Sequence, residues 1–205
     1  MLTILGATGA TGRELTRQAL ERGHDVTAVA RRPELIDAPD SGRLVRVAAD
    51  VLDHESITRA LKDSRVILSG LGITGNQAPG VLTAGARAAV ESEADHVIWL
   101  AAFGTGDSAR HAGALTRALL NAFMNKEMND RVTADTTVRG RGGTVFHAGP
   151  MSDGPLSPTR RTVPLDAAPR RLFPARVSRA TIAAAMLDEA EHPQYRGDIA
   201  IPLDR

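Results

Sequence analysis

A strand-like apolar run at the start of the chain leads directly into a loop with three glycines. The run is Leu2–Leu5, and the loop is Gly6-Ala7-Thr8-Gly9-Ala10-Thr11-Gly12, which a helix-like stretch follows. In such a unit the first glycine permits a tight turn, the second lets a phosphate approach the backbone, and the third lets the helix pack on the sheet. The helix N-terminus offers unpaired N–H groups to an anion. The loop therefore predicts a diphosphate site, and an ordinary strand-to-helix turn is the alternative.

Short apolar runs alternate with helix-like stretches along the rest of the chain. This alternation is typical of βαβ units and of a mostly parallel sheet. We therefore predict an α/β fold, a doubly wound Rossmann-type domain with flanking helices that spans residues 1–205. Strands are predicted at Leu2–Leu5, Asp25–Ala30, Leu44–Val47, Val66–Leu68, Val97–Leu100, Thr144–His147 and Gly197–Pro202. Helices are predicted at Gly12–Arg22, His54–Leu61, Gly80–Ser92, Gly113–Asn125, Asp130–Arg139 and Arg179–Glu191, with Gly23 ending the first and Ser178 capping the last.

Two arginines follow the second predicted strand, about twenty residues after the glycines, where NAD-binding proteins place an acidic residue for the ribose 2′-hydroxyl. Arg31 and Arg32 suit the 2′-phosphate of NADP instead. The motif thus predicts a bound dinucleotide, with NADP(H) preferred over NAD(H); two solvated surface arginines are the alternative. Residues after the third and fourth strands are predicted to complete the cofactor site: Asp50 and Val51 beside the adenine, and Gly70, Leu71 and Gly72 beside the ribose and nicotinamide.

Charge and composition exclude several other classes of protein. The net charge of +1 argues against a nucleic-acid-binding protein. The chain has no cysteine, and its N-terminus lacks the basic and apolar regions of a signal peptide. Its best apolar run, Val97–Phe103, is too short to span a bilayer. We therefore expect a cytoplasmic protein with a small-molecule substrate and with no nucleic-acid or membrane partner.

Taken together, these segments resemble the NAD(P)-binding, NmrA-like group of atypical short-chain dehydrogenase/reductases, and within it the biliverdin reductase B and flavin reductase type. The most specific segment is Ile4–Gly12, and the resemblance extends over nearly the whole chain. Supporting segments are Val29–Pro33, Asp50–Asp53, Gly149–Pro155 and the tail from Val177 onward. The resemblance implies a Rossmann fold, NADPH as cofactor and a substrate pocket above the carboxyl-terminal edge of the sheet. It also places Ala101, Ala102 and Phe103 beside the cofactor.

The chain lacks the proton donors of the families it resembles. Ordinary short-chain dehydrogenases use a Tyr-x-x-x-Lys pair, in which the tyrosine protonates a carbonyl oxygen. Here Tyr195 is the only tyrosine, and Ala122 stands four residues before Lys126. Ala101 stands where the flavin reductase type often has serine, and His147-Ala148 replaces an arginine-proline pair. No catalytic acid can therefore be transferred from a family pattern.

Few polar residues are expected near the nicotinamide. They are Thr74, Asn76, Gln77, Asp107, Ser108, His111 and His147. His111 is the candidate catalytic residue because histidine suits proton transfer near neutral pH; the alternative is a solvated loop histidine. His147 also has two interpretations. It is either a proton donor or a histidine at the edge of the sheet whose ring nitrogens are already hydrogen-bonded. The histidines show no paired ligand spacing with carboxylates, so no metal site is predicted.

Six prolines lie between Pro150 and Pro174, in a stretch with little periodicity. This stretch predicts either a loop-rich lid over residues 150–176 or a long surface connection. The favoured function is an NADPH-dependent oxidoreductase that transfers hydride to a small conjugated acceptor such as a flavin, a quinone or a bilin. Such an acceptor stabilises the added charge and needs a proton donor least. Two alternatives remain: a non-catalytic NADP(H)-binding redox sensor of the NmrA-like kind, which would have a protein partner, and an isomerase or dehydratase with a bound cofactor.

Overall fold

The computed structural model describes residues 1–73, 79–110, 114–169 and 174–204. Its strands are β1 (Leu2–Leu5), β2 (Val26–Ala30), β3 (Leu44–Ala48), β4 (Val66–Ser69), β5 (His96–Ala102), β6 (Thr144–Ala148), β7 (Met151–Ser152), β8 (Arg161–Pro164), β9 (Val177–Ser178) and β10 (Ile199–Leu203). Its helices are α1 (Ala10–Glu21), α2 (His54–Leu61), α3 (Val81–Glu91), α4 (Ala114–Gly140) and α5 (Arg179–Glu191).

Eight strands form one sheet in the order β3-β2-β1-β4-β5-β6-β10-β8. The first seven run parallel, and β8 pairs antiparallel with β10 at the edge. From β1 the chain moves outward to β3 and then crosses back to β4, so the strand order reverses between β1 and β4. In open α/β sheets ligands bind beside such a reversal, at the carboxyl ends of the strands. The predicted doubly wound Rossmann-type fold is confirmed.

Each face of the sheet carries an apolar core. On one face the buried side chains of Leu15, Ile182 and Met186 pack α1 and α5 against the strands. On the other face, α2, α3 and α4 cover Trp99 and its neighbours. Parallel strands buried on both faces are near-continuous apolar runs, as this sequence shows.

Local signals predicted the ends of two helices correctly. Gly23 follows α1 with φ of +81°, and its N–H donates to the carbonyl of Leu20. This left-handed conformation is the one that glycine adopts most easily after a helix. The hydroxyl of Ser178 accepts from the backbone N–H of Thr181 and caps α5 as predicted.

The chain between the fifth and the last strand differs from the sequence-based prediction in two places. The predicted helices Gly113–Asn125 and Asp130–Arg139 are one helix, α4, of 27 residues. The residues between them include no glycine or proline, so nothing there breaks the helix. The proline-rich stretch, predicted to be a lid or a surface connection, contributes a short strand, β8, to the edge of the sheet. Pro164 ends β8 at the sheet edge, where proline is tolerated because no ladder hydrogen bond is lost.

Within the described ranges, no helix is both long and apolar enough to cross a membrane.

Candidate cofactor site

Parallel pairing brings the carboxyl ends of β1 to β6 to one edge of the sheet. Leu5 at the end of β1 is in register with Val29 on one side and Ser69 on the other. Ala102 at the end of β5 is in register with Ala148. The loops after these strands therefore meet at this edge. The predicted cofactor residues lie at the strand ends, in the loops that follow them or in the first turn of α1: Gly6, Thr8, Gly9, Ala10, Thr11, Gly12, Arg31, Arg32, Asp50, Val51, Gly70, Leu71, Gly72, Ala101, Ala102 and Phe103.

Gly6, Gly12 and Gly70 lie against one another at the start of α1. Gly6 has φ of +72°, a conformation that favours glycine. A Cβ on Gly12 would lie 2.1 Å from the carbonyl oxygen of Gly6, and a Cβ on Gly70 would lie 3.0 Å from the backbone nitrogen of Gly12. A side chain at position 12 therefore requires the backbone to move. The three glycines hold the first turn of α1 close to the ends of β1 and β4.

The first turn of α1 has no side-chain cap. By contrast, Asp53 caps α2 and Ser178 caps α5. At the start of α3, the carboxylate of Asp130 accepts from the backbone N–H groups of Leu82 and Thr83. Among these four helices, α1 alone has first-turn N–H groups without a side-chain acceptor. They suit an anion such as a diphosphate, so the chemistry of the loop fits a dinucleotide.

A polar groove of about 280 Å³ lies beside this turn. Its lining includes Ala10, Arg13, Arg17, Asp37, Asp153 and Arg179. Arg13 lies 4.0 Å from Asp37, and Arg179 binds Asp153 at 2.6 Å. Sequence reasoning missed Arg13, although it directly follows the third glycine. The predicted Arg31 and Arg32 are exposed after β2, and Arg32 begins a short 3-10 turn.

The residues predicted beside the adenine and the ribose have structural roles of their own. The carboxylate of Asp50 accepts from the backbone N–H of Leu52 at 3.0 Å and shapes the turn after β3. Val51 and Leu71 are partly buried and pack against Gly85 of α3, where a Cβ would lie 2.7 Å from a methyl carbon of Leu71. Sequence reasoning missed Gly85 because a single glycine inside a helix gives no local signal of a close approach.

A small apolar cavity lies at the carboxyl ends of β5, β6 and β10. Phe103, Gly149 and Leu203 follow or end these three strands and line the cavity. The remaining lining residues are Ala168, Pro169, Pro174, Ala175, Ile201 and Pro202. None of these side chains is ionisable. Phe103 is half-buried, and its backbone N–H donates to the carbonyl of Ala148 at 2.7 Å.

The proline-rich stretch folds back over this edge of the sheet. β7 and β9, at its two ends, pair in parallel, and the N–H of Val177 donates to the carbonyl of Pro150. Gly149 permits this crossing, because a Cβ there would lie 2.2 Å from the carbonyl oxygen of Ala175. Met151 reaches the predicted diphosphate loop, Gly6–Gly12, with its sulfur 4.0 Å from the hydroxyl of Thr11.

The structure describes only some of the polar residues predicted near the nicotinamide. His111, Thr74, Asn76 and Gln77 lie outside the described residues, so the catalytic role of His111 stays a prediction. His147 is not at the sheet edge: it lies in β6 between β5 and β10 and is 1% exposed. Strands β10 and β8 lie beyond β6 in the sheet. The order of strands in a sheet depends on tertiary pairing, so the sequence alone did not place them there. In the described parts of the chain, no three metal-ligating side chains cluster.

Two groups with shifted pKa values lie away from these loops. Burial, with a smaller effect from Arg196, lowers the pKa of His96 at the start of β5 to about 4. Burial and the carboxylate of Glu189 raise the pKa of Tyr195. The hydroxyl of Tyr195 donates to the carbonyl of Thr162 in β8. This hydrogen bond connects the loop between α5 and β10 to the edge strand of the sheet.

The fold and the glycine loop together define a dinucleotide-binding protein of the Rossmann type. Residues 6–193 match the NAD(P)H-binding family, and the chain belongs to this family. No curated protein is significantly similar to it in sequence.

Solved structures with this fold include three reductases or dehydrogenases, each less than 20% identical. An anaerobilin reductase of Escherichia coli O157:H7 is 17% identical, with a TM-score of 0.78 over 99% of this chain and 96% of that one. A candidate NADH–flavin reductase of Streptococcus pneumoniae is 15% identical, with a TM-score of 0.75 over 100% and 99%. A short-chain dehydrogenase/reductase of Veillonella parvula in complex with NADP is 17% identical, with a TM-score of 0.77 over 98% and 93%. The predicted resemblance to NAD(P)-binding reductases is confirmed, whereas the NmrA-like subgroup stays a prediction.

Proposed function

We propose that this protein is an NADPH-dependent oxidoreductase that transfers hydride to a small conjugated acceptor: a flavin, a quinone or a bilin-like compound. The observation that carries the proposal is the apolar cavity bounded by Phe103, which follows β5 at the same edge of the sheet as the glycine loop. The cavity encloses about 30 Å³, so it would form one wall of an acceptor site. Its described lining has no ionisable side chain, which suits an acceptor whose conjugated rings stabilise the added charge. The similarity to an anaerobilin reductase and to a candidate flavin reductase supports the same class of acceptor.

The chain's own residues account for cofactor binding. When bound, the dinucleotide supplies the hydride; the protein's part is to bind and orient it and to exclude water. The uncapped N–H groups of α1 would bind the diphosphate, and Arg31 and Arg32 would bind a 2′-phosphate. Backbone at Gly70–Gly72 and Ala101–Phe103 would lie beside the ribose and nicotinamide.

Residues 150–176 would act as a lid on the substrate side of the same domain. The support for this role is that Ala168, Pro169, Pro174 and Ala175 line the cavity while β7 and β9 hold the ends of the segment together. A small-molecule substrate and a cytoplasmic location are part of the same proposal.

The proposal is tested with pure protein, NADPH and a panel of flavins, quinones and bilins. Absorbance at the nicotinamide band should fall faster than in the absence of protein for at least one acceptor. Tight NADPH binding with no consumption across the panel would support the redox sensor instead. Absence of NADPH binding would contradict both functions.

Cofactor preference has its own test. Replacing Arg31 and Arg32 together with alanine should weaken NADPH binding by about 10- to 100-fold, since hydrogen bonds between charged groups are lost. NADH binding should stay within about twofold, because NADH has no phosphate for these guanidinium groups. Arg59→Ala, an exposed arginine on α2, is the matched control and should change neither affinity. Equal weakening for both cofactors would remove the argument for NADP.

A further inference from the structure

A buried group of three polar side chains lies behind the loop that follows β5. Ser108 in this loop, Asp135 on α4 and His147 on β6 are 0%, 6% and 1% exposed. The hydroxyl of Ser108 lies 2.7 Å from Nδ1 of His147, although 39 residues separate them in the chain. On the other side of the ring, Nε2 lies 3.3 Å from Oδ2 of Asp135. The three side chains are arranged in the order of a catalytic serine–histidine–aspartate triad. The hydroxyl of Ser108 is fully buried, however, and cannot reach a substrate.

Three groups lie within hydrogen-bond distance of the Ser108 hydroxyl. The hydroxyl oxygen lies 2.8 Å from the backbone N–H of Gly104, 2.9 Å from the carbonyl of Thr105 and 2.7 Å from His147. The hydroxyl has a single proton, which the carbonyl of Thr105 or Nδ1 of His147 accepts, according to the tautomer of the ring. In both arrangements the oxygen accepts from the N–H of Gly104 and is held by His147. His147 therefore orients the hydroxyl that holds the N–H of Gly104.

The contact with Asp135 orients the histidine ring. Nε2 and Oδ2 have no other partner, and their present geometry is not aligned for a conventional hydrogen bond. A proton on either atom makes this contact attractive, and a neutral ring with that proton on Nε2 accepts the Ser108 hydroxyl proton at Nδ1. The ring is thereby held between a helix and the β5 loop.

The loop held in this way leads into the proposed acceptor cavity. Gly104 directly follows Phe103, which lines the cavity. The register pairs His147 with Ala101, at the end of β5, so the histidine acts on the loop from the adjacent strand. Arg139 of α4 also binds Asp107 of the loop at 2.6 Å, but that ion pair is partly exposed and solvent weakens it.

We propose that His147 is a positioning residue that, through Ser108, fixes the backbone at Gly104 and hence the position of Phe103 in the acceptor cavity. Asp135 is its orienting partner. This inference rests on the proposed function for its effect on catalysis, and its effect on the loop can be measured without any acceptor.

The primary test is amide hydrogen exchange in variants of His147. In His147→Ala, exchange at Gly104 should rise about tenfold, the factor expected for one lost hydrogen bond, while exchange in the diphosphate loop stays unchanged. His147→Asn keeps an amide group, which can donate or accept, near the position of Nδ1 and should restore protection at Gly104. His147→Gln keeps only a group near the position of Nε2 and should not.

Kinetics give the second readout. His147→Ala should raise KM for the acceptor about tenfold. The dissociation constant of NADPH should change less, by about twofold at most, because Phe103 lies at the nicotinamide end and the proposed diphosphate and 2′-phosphate contacts are unchanged. His96→Ala is the matched control: His96 is also buried, and its Nε2 bonds Thr144 at 3.0 Å at the opposite end of the sheet. It should lower stability without changing KM for the acceptor.

Three outcomes would overturn the inference. One is unchanged exchange at Gly104 in a folded His147→Ala protein. A second, which decides the matter if that variant does not fold, is equal protection at Gly104 in His147→Asn and His147→Gln. A third is an equal rise in acceptor KM in the His96 control. If the wild-type protein reduces no acceptor, the proposed function fails, but the exchange measurements still decide the role of His147.

Discussion

Gly12→Ala tests the central geometric claim about the cofactor loop. A Cβ at position 12 would lie 2.1 Å from the carbonyl oxygen of Gly6, about 1.3 Å short of an ordinary 3.4 Å contact. That oxygen belongs to a turn already held by Gly70, so the first turn of α1 must move outward instead. Overpacking of this kind typically costs about 1–3 kcal/mol. Alanine in a helix would otherwise gain up to about 1 kcal/mol over glycine, so any net loss of stability shows that the clash dominates.

The larger effect should be on cofactor binding. Moving the N–H groups of α1 by about 1 Å misaligns the hydrogen bonds that a diphosphate would accept, and losing one or two of them weakens NADPH by about 10- to 100-fold. Denaturant unfolding gives the stability, and titration calorimetry with NADPH gives the affinity. Gly42→Ala is the matched control, since Gly42 has nothing within 4 Å of its Cβ position and no positive φ. A stable Gly12→Ala protein that binds NADPH like the wild type would refute the reasoning.

Three predictions concern stability. The pKa of His96 is lowered from 6.5 to about 4, chiefly by burial, so the unfolded chain binds a proton below pH 6.5 that the folded protein rejects. Stability should fall as the pH drops from about 6.5 to 4, by up to about 3 kcal/mol, and denaturant unfolding of His96→Gln should show a smaller pH dependence. Ser178→Ala removes the cap of α5 and should cost about 1 kcal/mol in thermal unfolding; an unchanged melting temperature would contradict the capping role. Glu189→Ala should lower the free energy of unfolding by about 2–4 kcal/mol, because this buried carboxylate accepts from Thr144 and from the backbone of Gln194 and Tyr195. Glu191→Ala is the control. Glu191 forms a partly exposed ion pair with Arg22, so its loss should cost less than about 1 kcal/mol.

Local sequence predicted most of the helices and strands and the glycine loop. The apolar run at Leu2–Leu5 and the glycines at 6, 9 and 12 are sufficient to predict a strand, a turn and a helix, since each depends on backbone sterics within a few residues. The capping role of Ser178 and the left-handed conformation of Gly23 were predicted equally well, because each also depends only on neighbouring residues.

Contacts between distant segments were decided only by the tertiary structure. The union of two predicted helices into α4 and the pairing of β8 with β10 depend on packing against the finished sheet. The meeting of Ser108, Asp135 and His147 requires β5, α4 and β6 to be in place. Sequence patterns report which residues face a core within one element. They do not report which elements become neighbours, because that choice depends on the summed burial and hydrogen bonding of the whole chain.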